Sequence, residues 1–306
     1  MKFKKIVRNF LKPFENGIII YTFLRVLTIF IQVIPVFLCE KIIIFLGNFA
    51  FFVMKGHRKL ALKNMDIAFG DKYTKKEKIK MCKRLFIECM SFLEIFQLYK
   101  FKDEELMKMA EIEGEEILKQ VVKEKKGVIA VCPHMGNFPF ALVILTKKGY
   151  PVNMIVARSV NVYTDRDLRK LREKFGVPSI SRKDLKKAIE DSQRWIKNGG
   201  ILCIYLDQHA PNGIKCEFFG KEVYVPAGAA VFARKYKTNV IGLYTVRTGP
   251  MKHKIVIEGP YKLKESRNVS EDVKENTAFF IKRVQNWVEK YPEQWSSWLN
   301  PGRFPD

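Results

Sequence analysis

Histidine is rare in this chain of 306 residues: there are four, and one of them follows a short apolar run. His134 lies two residues after Val128–Cys132, a run typical of a buried strand, and precedes a small-residue turn. Such a position exposes an imidazole and directs backbone N–H groups at a developing anion. His134 is therefore a candidate general base that takes a proton from a hydroxyl attacking a thioester, with Gly136 and Asn137 steadying the oxyanion. A structural role for a lone histidine is the alternative.

Two acidic residues are candidates to assist this histidine. Asp207 comes directly after a second apolar run, at 201–206, and Glu217 stands in a predicted loop before Phe218-Phe219-Gly220. A carboxylate beside an imidazole orients the ring and stabilises its charged form. The alternatives are a structural loop acid for Asp207 and a solvated surface acid for Glu217. Gln208, next to Asp207, is a candidate substrate contact.

Arginines form a second group of candidates, on and before a predicted helix at 164–175. They are Arg158, Arg166, Arg169 and Arg172. A guanidinium suits phosphate recognition, which would fit a phosphorylated lipid acceptor or the pantetheine phosphate of a donor. Arg158 and Arg172 are candidate substrate-binding residues, and an exposed basic helix face is the alternative.

Short apolar runs alternate with amphipathic segments from residue 127 onwards, whereas residues 56–126 are predicted to be helical and charged. The predicted strands are 128–132, 152–156, 201–206, 238–247 and 253–259. The predicted helices are 138–147, 164–175, 183–197, 227–236 and 271–290. This alternation predicts an α/β fold with a mostly parallel central sheet flanked by helices. Ligands bind such sheets beyond the carboxyl ends of the strands, where His134 and Asp207 both fall.

The N-terminal segment is apolar but interrupted by charge. Its runs are 17–24, 26–39 and 42–54, and none has the 18 or more residues of a clean membrane span. The segment is one tilted span over about 17–39, a pair of amphipathic helices in the membrane interface, or a buried helical hairpin of a soluble protein. No cleavage site follows the first run, and the basic N-terminus predicts a cytoplasmic location for that end. We expect a membrane-anchoring segment at 1–55 and one catalytic domain at 56–306.

The charge balance restricts the class of partner. Lys and Arg number 55 against 32 Asp and Glu, a net charge of +23, which favours nucleic acid or an anionic lipid surface. The 24 phenylalanines and the absence of a recognisable nucleic-acid motif favour a membrane and argue against nucleic acid. Six scattered cysteines without a Cys-x-x-Cys pair fit a reducing compartment, and no His/Cys cluster predicts a metal or redox cofactor.

Several blocks of the sequence share one resemblance, in the same order along the chain. They are 56–69, 128–138, Arg158 with 171–177, 199–208, 218–220 and 291–304. Together they resemble the bacterial lipid A biosynthesis acyltransferase family, which comprises the late lauroyl/myristoyl transferases and related glycolipid acyltransferases. The resemblance implies a glycerolipid-acyltransferase-like domain at the cytoplasmic side of the bacterial inner membrane. It also implies transfer of a fatty acyl chain from acyl carrier protein or coenzyme A to a hydroxyl of a lipid A-type saccharolipid or other glycolipid.

One position departs from the family pattern. The family's catalytic motif places Asp or Glu five residues after the histidine, and this chain has Pro139 there. Proline neither orients nor stabilises an imidazole. Our hypothesis is that Asp207 or Glu217 takes over the carboxylate role. The rival is a protein that binds acyl lipids without catalysing their transfer.

Overall fold

A computed structural model describes residues 18–157 and 162–304. The helices, in chain order, are α1 (Ile18–Val33), α2 (Val36–Val53), α3 (Lys55–Phe69), α4 (Lys75–Met90), α5 (Glu94–Gln97), α6 (Asp103–Met107), α7 (Glu115–Lys123), α8 (Phe138–Lys147), α9 (Val162–Lys174), α10 (Leu185–Lys197), α11 (Gly228–Tyr236) and α12 (Val269–Lys290). The strands are β1 (Ala110–Glu113), β2 (Val128–Cys132), β3 (Val152–Val156), β4 (Ser179–Ser181), β5 (Ile201–Tyr205), β6 (Ile214–Phe218), β7 (Lys221–Val225), β8 (Asn239–Gly249) and β9 (Lys252–Glu258).

The centre of the fold is a seven-stranded sheet in the order β1-β9-β8-β2-β5-β3-β4. Five neighbouring pairs run parallel, and β8 with β9 is the one antiparallel pair in this sheet. The predicted α/β class with a mostly parallel sheet is therefore confirmed. Strand β2 is buried on both faces because Ile129 and Val131 pack on one side while Val128 and Ala130 pack on the other. Such burial explains why this strand reads as a continuous apolar run.

Helices cover both faces of the sheet. Helices α3, α4, α11 and α12 pack on the face of Ile129, and α7 and α8 pack on the face of Val128. Helix α8 begins at Phe138 with a proline in its first turn, where the missing N–H of Pro139 costs no intrahelical hydrogen bond. The local sequence thus starts a helix directly behind the loop that carries His134.

The segment around Glu217 was predicted as a loop, and that prediction is wrong. Strands β6 and β7 form an antiparallel hairpin joined by Phe219 and Gly220, both with positive φ, +52° and +69°. Two central residues of positive φ match the twist of the flanking strands, which is why this turn type closes short hairpins. Buried residues alternate with exposed ones along both strands. The short strands β1 and β4 were also not predicted.

The apolar N-terminal segment forms two separate helices. Helix α1 ends at Val33 and α2 begins at Val36, so one continuous helix over 17–39 is not observed. Pro35 lies between them, and a proline disfavours helical geometry in the residue before it. Helix α2, at 18 residues, is long and apolar enough to cross a membrane. One side of both helices packs on the domain through Ile31, Cys39 and Ile43.

The outer side of these two helices is apolar and exposed. Its residues are Val26, Ile29, Phe30, Val33, Phe37, Ile44, Phe45, Phe49, Phe52 and Val53. Monomeric soluble proteins rarely expose a continuous apolar surface of this kind. The prediction of a fully buried hairpin therefore does not fit the structure.

Candidate active site

Strand pairing brings His134 and Asp207 together. In the parallel β2–β5 pair, Cys132 lies opposite Tyr205, so the residues two positions further along each strand leave the sheet side by side. The N–H of Leu206 donates to the carbonyl of Cys132 at 3.1 Å and continues the pairing past the strand ends. The expected approach of Asp207 to His134 across the sheet is therefore present.

The two side chains form a close hydrogen-bonded contact. His134 Nδ1 lies 2.6 Å from Asp207 Oδ1, and the carboxylate is fully buried while the imidazole is 20% exposed. An ionised carboxylate only accepts hydrogen bonds, so Nδ1 carries the proton in the neutral ring. The tautomer that results leaves a lone pair on Nε2, which is the atom a general base needs free.

Three further donors converge on the second oxygen of Asp207. The backbone N–H of His134 donates at 2.7 Å, Trp295 Nε1 at 2.7 Å and the hydroxyl of Ser297 at 3.0 Å. Burial by itself acts to raise the pKa of Asp207. The attraction of His134 and the hydrogen bonds from His134 and Trp295 outweigh it and hold that pKa far below its usual range. Asp207 is therefore ionised at neutral pH.

The pKa of His134 reflects the same contact. Burial is the largest single influence and acts to lower it, but the attraction and the hydrogen bond of Asp207 together raise the pKa above its usual value. The stabilised form is the imidazolium that proton abstraction produces. The pair thus has the electrostatics of a base with its supporting acid.

The C-terminal block 291–304 provides the scaffold of this pair. Ser296 donates to the carbonyl of His134 through its N–H at 3.0 Å and its hydroxyl at 2.9 Å. Met135 forms an isolated bridge with Trp295. In the sequence, this block stands out only through the family resemblance, which assigns no role to Trp295 or Ser297. The tryptophan and serine cluster itself was the available signal.

A buried cation lies behind the tryptophan. The guanidinium of Arg303 is 4.2 Å from the ring centre of Phe218 and 5.8 Å from that of Trp295. It has no hydrogen-bond partner among the residues that the structure describes. Burial lowers the pKa of Arg303 to about 10, and the charge of Asp207 opposes that change. Arg303 is thus a buried positive charge that is held by aromatic rings and interacts electrostatically with Asp207.

Gly136 and Asn137 shape the loop after His134 in a way that differs from expectation. The N–H of Gly136 donates to the carbonyl of Gln294 at 3.0 Å, so it does not point at an open ligand position. Gly136 has φ +54°, and a Cβ there would lie 2.4 Å from the carbonyl oxygen of Thr245. The buried side chain of Asn137 donates to the carbonyl of Ser91 at 3.2 Å. Gly136 and Asn137 therefore stabilise the conformation of the loop that follows His134.

The outer end of His134 is bordered by polar and aromatic groups. Gln208 is exposed, and its Nε2 lies 3.4 Å from His134 Nε2. The rings of Tyr205 and Phe138 lie 4.6 and 5.1 Å from the imidazole centre. Pro139, next to Phe138, is half-buried. A substrate hydroxyl reaching Nε2 would therefore meet the amide of Gln208 first.

The remaining predicted residues lie elsewhere or outside the described ranges. Glu217 is exposed on β6 and faces Glu222 across the hairpin, away from the contacts of His134. Of the two candidate carboxylates, the structure thus brings Asp207 to the imidazole. Arg172 is half-buried, and its Nε lies 3.2 Å from Ser179 Oγ at the edge strand β4. Arg158 falls outside the residues that the structure describes.

Comparison with known proteins identifies the family of this chain. A search of curated proteins finds no match. A scan against protein families matches residues 5–303 to the family described as bacterial lipid A biosynthesis acyltransferase. The match spans nearly the whole chain and includes both members of the His134–Asp207 pair. The chain therefore belongs to the bacterial lipid A biosynthesis acyltransferase family.

Proposed function

We propose that this protein moves a fatty acyl chain from a thioester to a hydroxyl of a lipid A-type saccharolipid or another glycolipid. The donor is an acyl carrier protein or coenzyme A thioester. The observation that supports the proposal most directly is the 2.6 Å contact between His134 Nδ1 and a buried, ionised Asp207. That contact keeps the ring proton on Nδ1, so that Nε2 is unprotonated and can act as a base when a substrate hydroxyl takes the place of the Gln208 amide beside it.

In the reaction, His134 Nε2 removes the proton of the acceptor hydroxyl as its oxygen attacks the thioester carbonyl. The new C–O bond produces a tetrahedral oxyanion, and Asp207 stabilises the imidazolium formed beside it. When the C–S bond breaks, the departing thiolate takes the proton back from Nε2. Atoms and charges therefore balance without a metal or redox cofactor.

Gln208 is the proposed donor to the oxyanion. Its amide lies beside Nε2 at 3.4 Å, on the exposed side where the thioester carbonyl would sit. The N–H of Gly136 already donates to a carbonyl, which favours a side-chain donor over the backbone of that loop. A donor aimed at the developing charge contributes most in a site from which water is excluded.

Asp207 would replace the carboxylate that the family motif places at the position of Pro139. Its contact with Nδ1, the atom opposite the base nitrogen, is the one that an orienting acid makes. The rival function is an acyl-lipid-binding protein without catalysis, for which Pro139 is the supporting observation.

Membrane association is part of the proposal. The exposed apolar side of α1 and α2 would enter the bilayer while the opposite side stays packed on the domain. The family and the basic N-terminus support a position at the cytoplasmic side of the bacterial inner membrane. The net charge of +23 would favour approach of an acidic carrier protein.

The test uses purified protein in detergent and labelled acyl thioesters of carrier protein and of coenzyme A. Acceptors are a lipid A precursor, a glycolipid and a lysophospholipid. The variant His134→Ala removes the base, and Glu217→Gln is a control that removes an exposed carboxylate.

We expect the wild-type protein and Glu217→Gln to label one of the lipids, and His134→Ala to label none. Transfer by folded His134→Ala at the wild-type rate would refute the role of His134. Acyl-chain binding by well-folded wild-type protein, without labelling of any acceptor, would establish the non-catalytic alternative.

A further inference from the structure

A basic groove lies away from the His134–Asp207 pair, at the end of the apolar N-terminal helices. Its volume is about 850 Å³, and it lies between α3 and the first residue of β7. The lining residues are Lys55, Arg58, Lys59, Leu62, Lys63, Asp66, Ile67 and Lys221. The catalytic mechanism uses none of them.

The charges around this groove are poorly compensated. Its only carboxylate, Asp66, is 2.6 Å from the amine of Lys78, which lies outside the lining. Within the part of the chain that the structure describes, Lys55, Arg58, Lys59 and Lys221 form no ion pair. Lys55 and Lys59 are four residues apart on α3, and like charges at that spacing destabilise a helix. A bound anion would offset this repulsion.

The groove adjoins the exposed apolar side of α2. Phe52 and Val53, at the end of that helix, are 61% and 59% exposed, and only Met54 separates them from Lys55. Arg58 joins the two regions, because its Nη1 donates to the carbonyl of Phe51 at 2.9 Å. A cationic groove thus begins where the apolar surface ends. This order of groups matches the change from acyl chains to headgroups at a membrane surface.

We propose that this groove binds the phosphate headgroup of an anionic phospholipid in the membrane that receives α2. The amines of Lys55, Lys59 and Lys221 attract the phosphate, and Leu62 and Ile67 contact the apolar part of the same lipid. An acidic protein fits less well, because the adjoining phenylalanine and valine would have to be covered by it as well. The inference rests on the membrane association proposed above and not on acyl transfer.

Headgroup binding at this position would also orient the catalytic domain. Helix α3 is attached to the C-terminal scaffold, since Asn64 Nδ2 donates to the carbonyl of Trp298 at 2.8 Å. Trp298 packs against Trp295, which holds Asp207. A lipid bound on α3 would therefore set the angle at which the site meets the membrane.

The experiment measures binding to vesicles of phosphatidylcholine with and without phosphatidylglycerol. The test variant is Lys55→Gln/Lys59→Gln/Lys221→Gln. Its matched control, Lys183→Gln/Lys186→Gln/Lys187→Gln, removes the same charge from exposed lysines at the start of α10, a helix that packs on β4 and β5. Thermal unfolding of each variant checks that the fold is intact.

We expect the groove variant to lose about 100-fold in affinity for the anionic vesicles at low salt, at roughly fivefold per lysine. Its binding to neutral vesicles should be unchanged, because the apolar side of α2 is intact. The control variant should lose less than about fivefold, since none of its three lysines lines the groove and each contributes only to the general attraction of the basic protein.

Equal losses in the two variants would refute a specific site and indicate general attraction of a basic protein. Binding of soluble glycerol phosphate, without vesicles, as tightly as the anionic vesicles would also overturn the proposal, because the groove would then take a free anion without any contribution from the lipid. Wild-type protein that binds neither vesicle would refute the membrane association itself. Binding to both without preference refutes the groove alone. His134→Ala should bind like wild type, which separates lipid binding from catalysis.

Discussion

Replacement of Asp207 by asparagine tests the arrangement of the candidate site most sharply. One carboxylate oxygen accepts from three donors, and the other accepts from His134 Nδ1. Asparagine keeps the shape and loses one acceptor. Its oxygen must stay with the three donors, because an amide NH₂ there would leave each of them unpaired at about 1–3 kcal/mol apiece. The NH₂ group therefore faces Nδ1.

This orientation changes the tautomer of His134. An NH₂ group donates to Nδ1, so the ring proton moves to Nε2 and blocks the atom that serves as base. The same replacement in serine-protease triads lowers kcat by about 10⁴-fold for that reason. We expect a similar loss here for Asp207→Asn, equivalent to about 5 kcal/mol in the activation barrier.

The assay is acyl transfer in detergent with saturating donor, with kcat and KM measured separately. We expect kcat to fall while KM stays unchanged, since Asp207 is fully buried and contacts no substrate. The exposed Glu217→Gln variant is the control for loss of a carboxylate. A folded Asp207→Asn protein with kcat within about tenfold of wild type would refute the assigned tautomer and the role of the pair.

Three further predictions follow from the same contacts. Asp207 raises the pKa of His134, and the base must be unprotonated, so kcat/KM should rise with pH and the midpoint of that rise should lie above 6.5. A midpoint below 6.5 would contradict the effect of Asp207 on His134. Trp295→Phe removes a donor to Asp207 and should lower kcat about tenfold. The control Trp298→Phe removes an indole that donates to a backbone carbonyl and should leave kcat unchanged. Equal kcat values for the two variants would show that the indole donor to Asp207 is dispensable. Arg247→Met leaves the carboxylates of Glu40 and Glu94 without their shared cation, so it should lower the free energy of unfolding by about 3–5 kcal/mol in chemical denaturation. A loss below about 1 kcal/mol would mean that these carboxylates are uncharged.

The sequence alone was enough to predict the α/β class, because buried parallel strands are short apolar runs and their spacing by helices is regular. It was also enough to locate His134 and Asp207 at strand ends. Even the β6–β7 hairpin left a signal that was missed. Cys216 and Phe218 alternate with the charged Lys215 and Glu217, and Val223 and Val225 alternate with Glu222 and Tyr224 after Phe219-Gly220.

The choice between Asp207 and Glu217 needed the tertiary structure. Strands β2 and β5 are far apart in sequence, and their adjacency results from packing that no local pattern reports. Glu217 is excluded as the partner of His134 because it is exposed on the β6–β7 hairpin, whereas Asp207 is buried and accepts a hydrogen bond from the indole of Trp295. The local sequence makes Asp207 and Glu217 equally plausible as the partner of His134.

What the sequence by itself determined is the α/β class with five of the seven strands of the central sheet, the apolar character of the N-terminal segment and the residues able to do acid–base chemistry. Only the tertiary structure decided which of those residues meet, that Trp295 and Ser297 complete the carboxylate's hydrogen bonds, and that the N–H of Gly136 is already engaged. The physical reason is the range of the interactions. Periodicity and turn preferences act over a few neighbours, whereas strand pairing and hydrogen bonding of a buried carboxylate join residues that only the packed core brings within 3 Å.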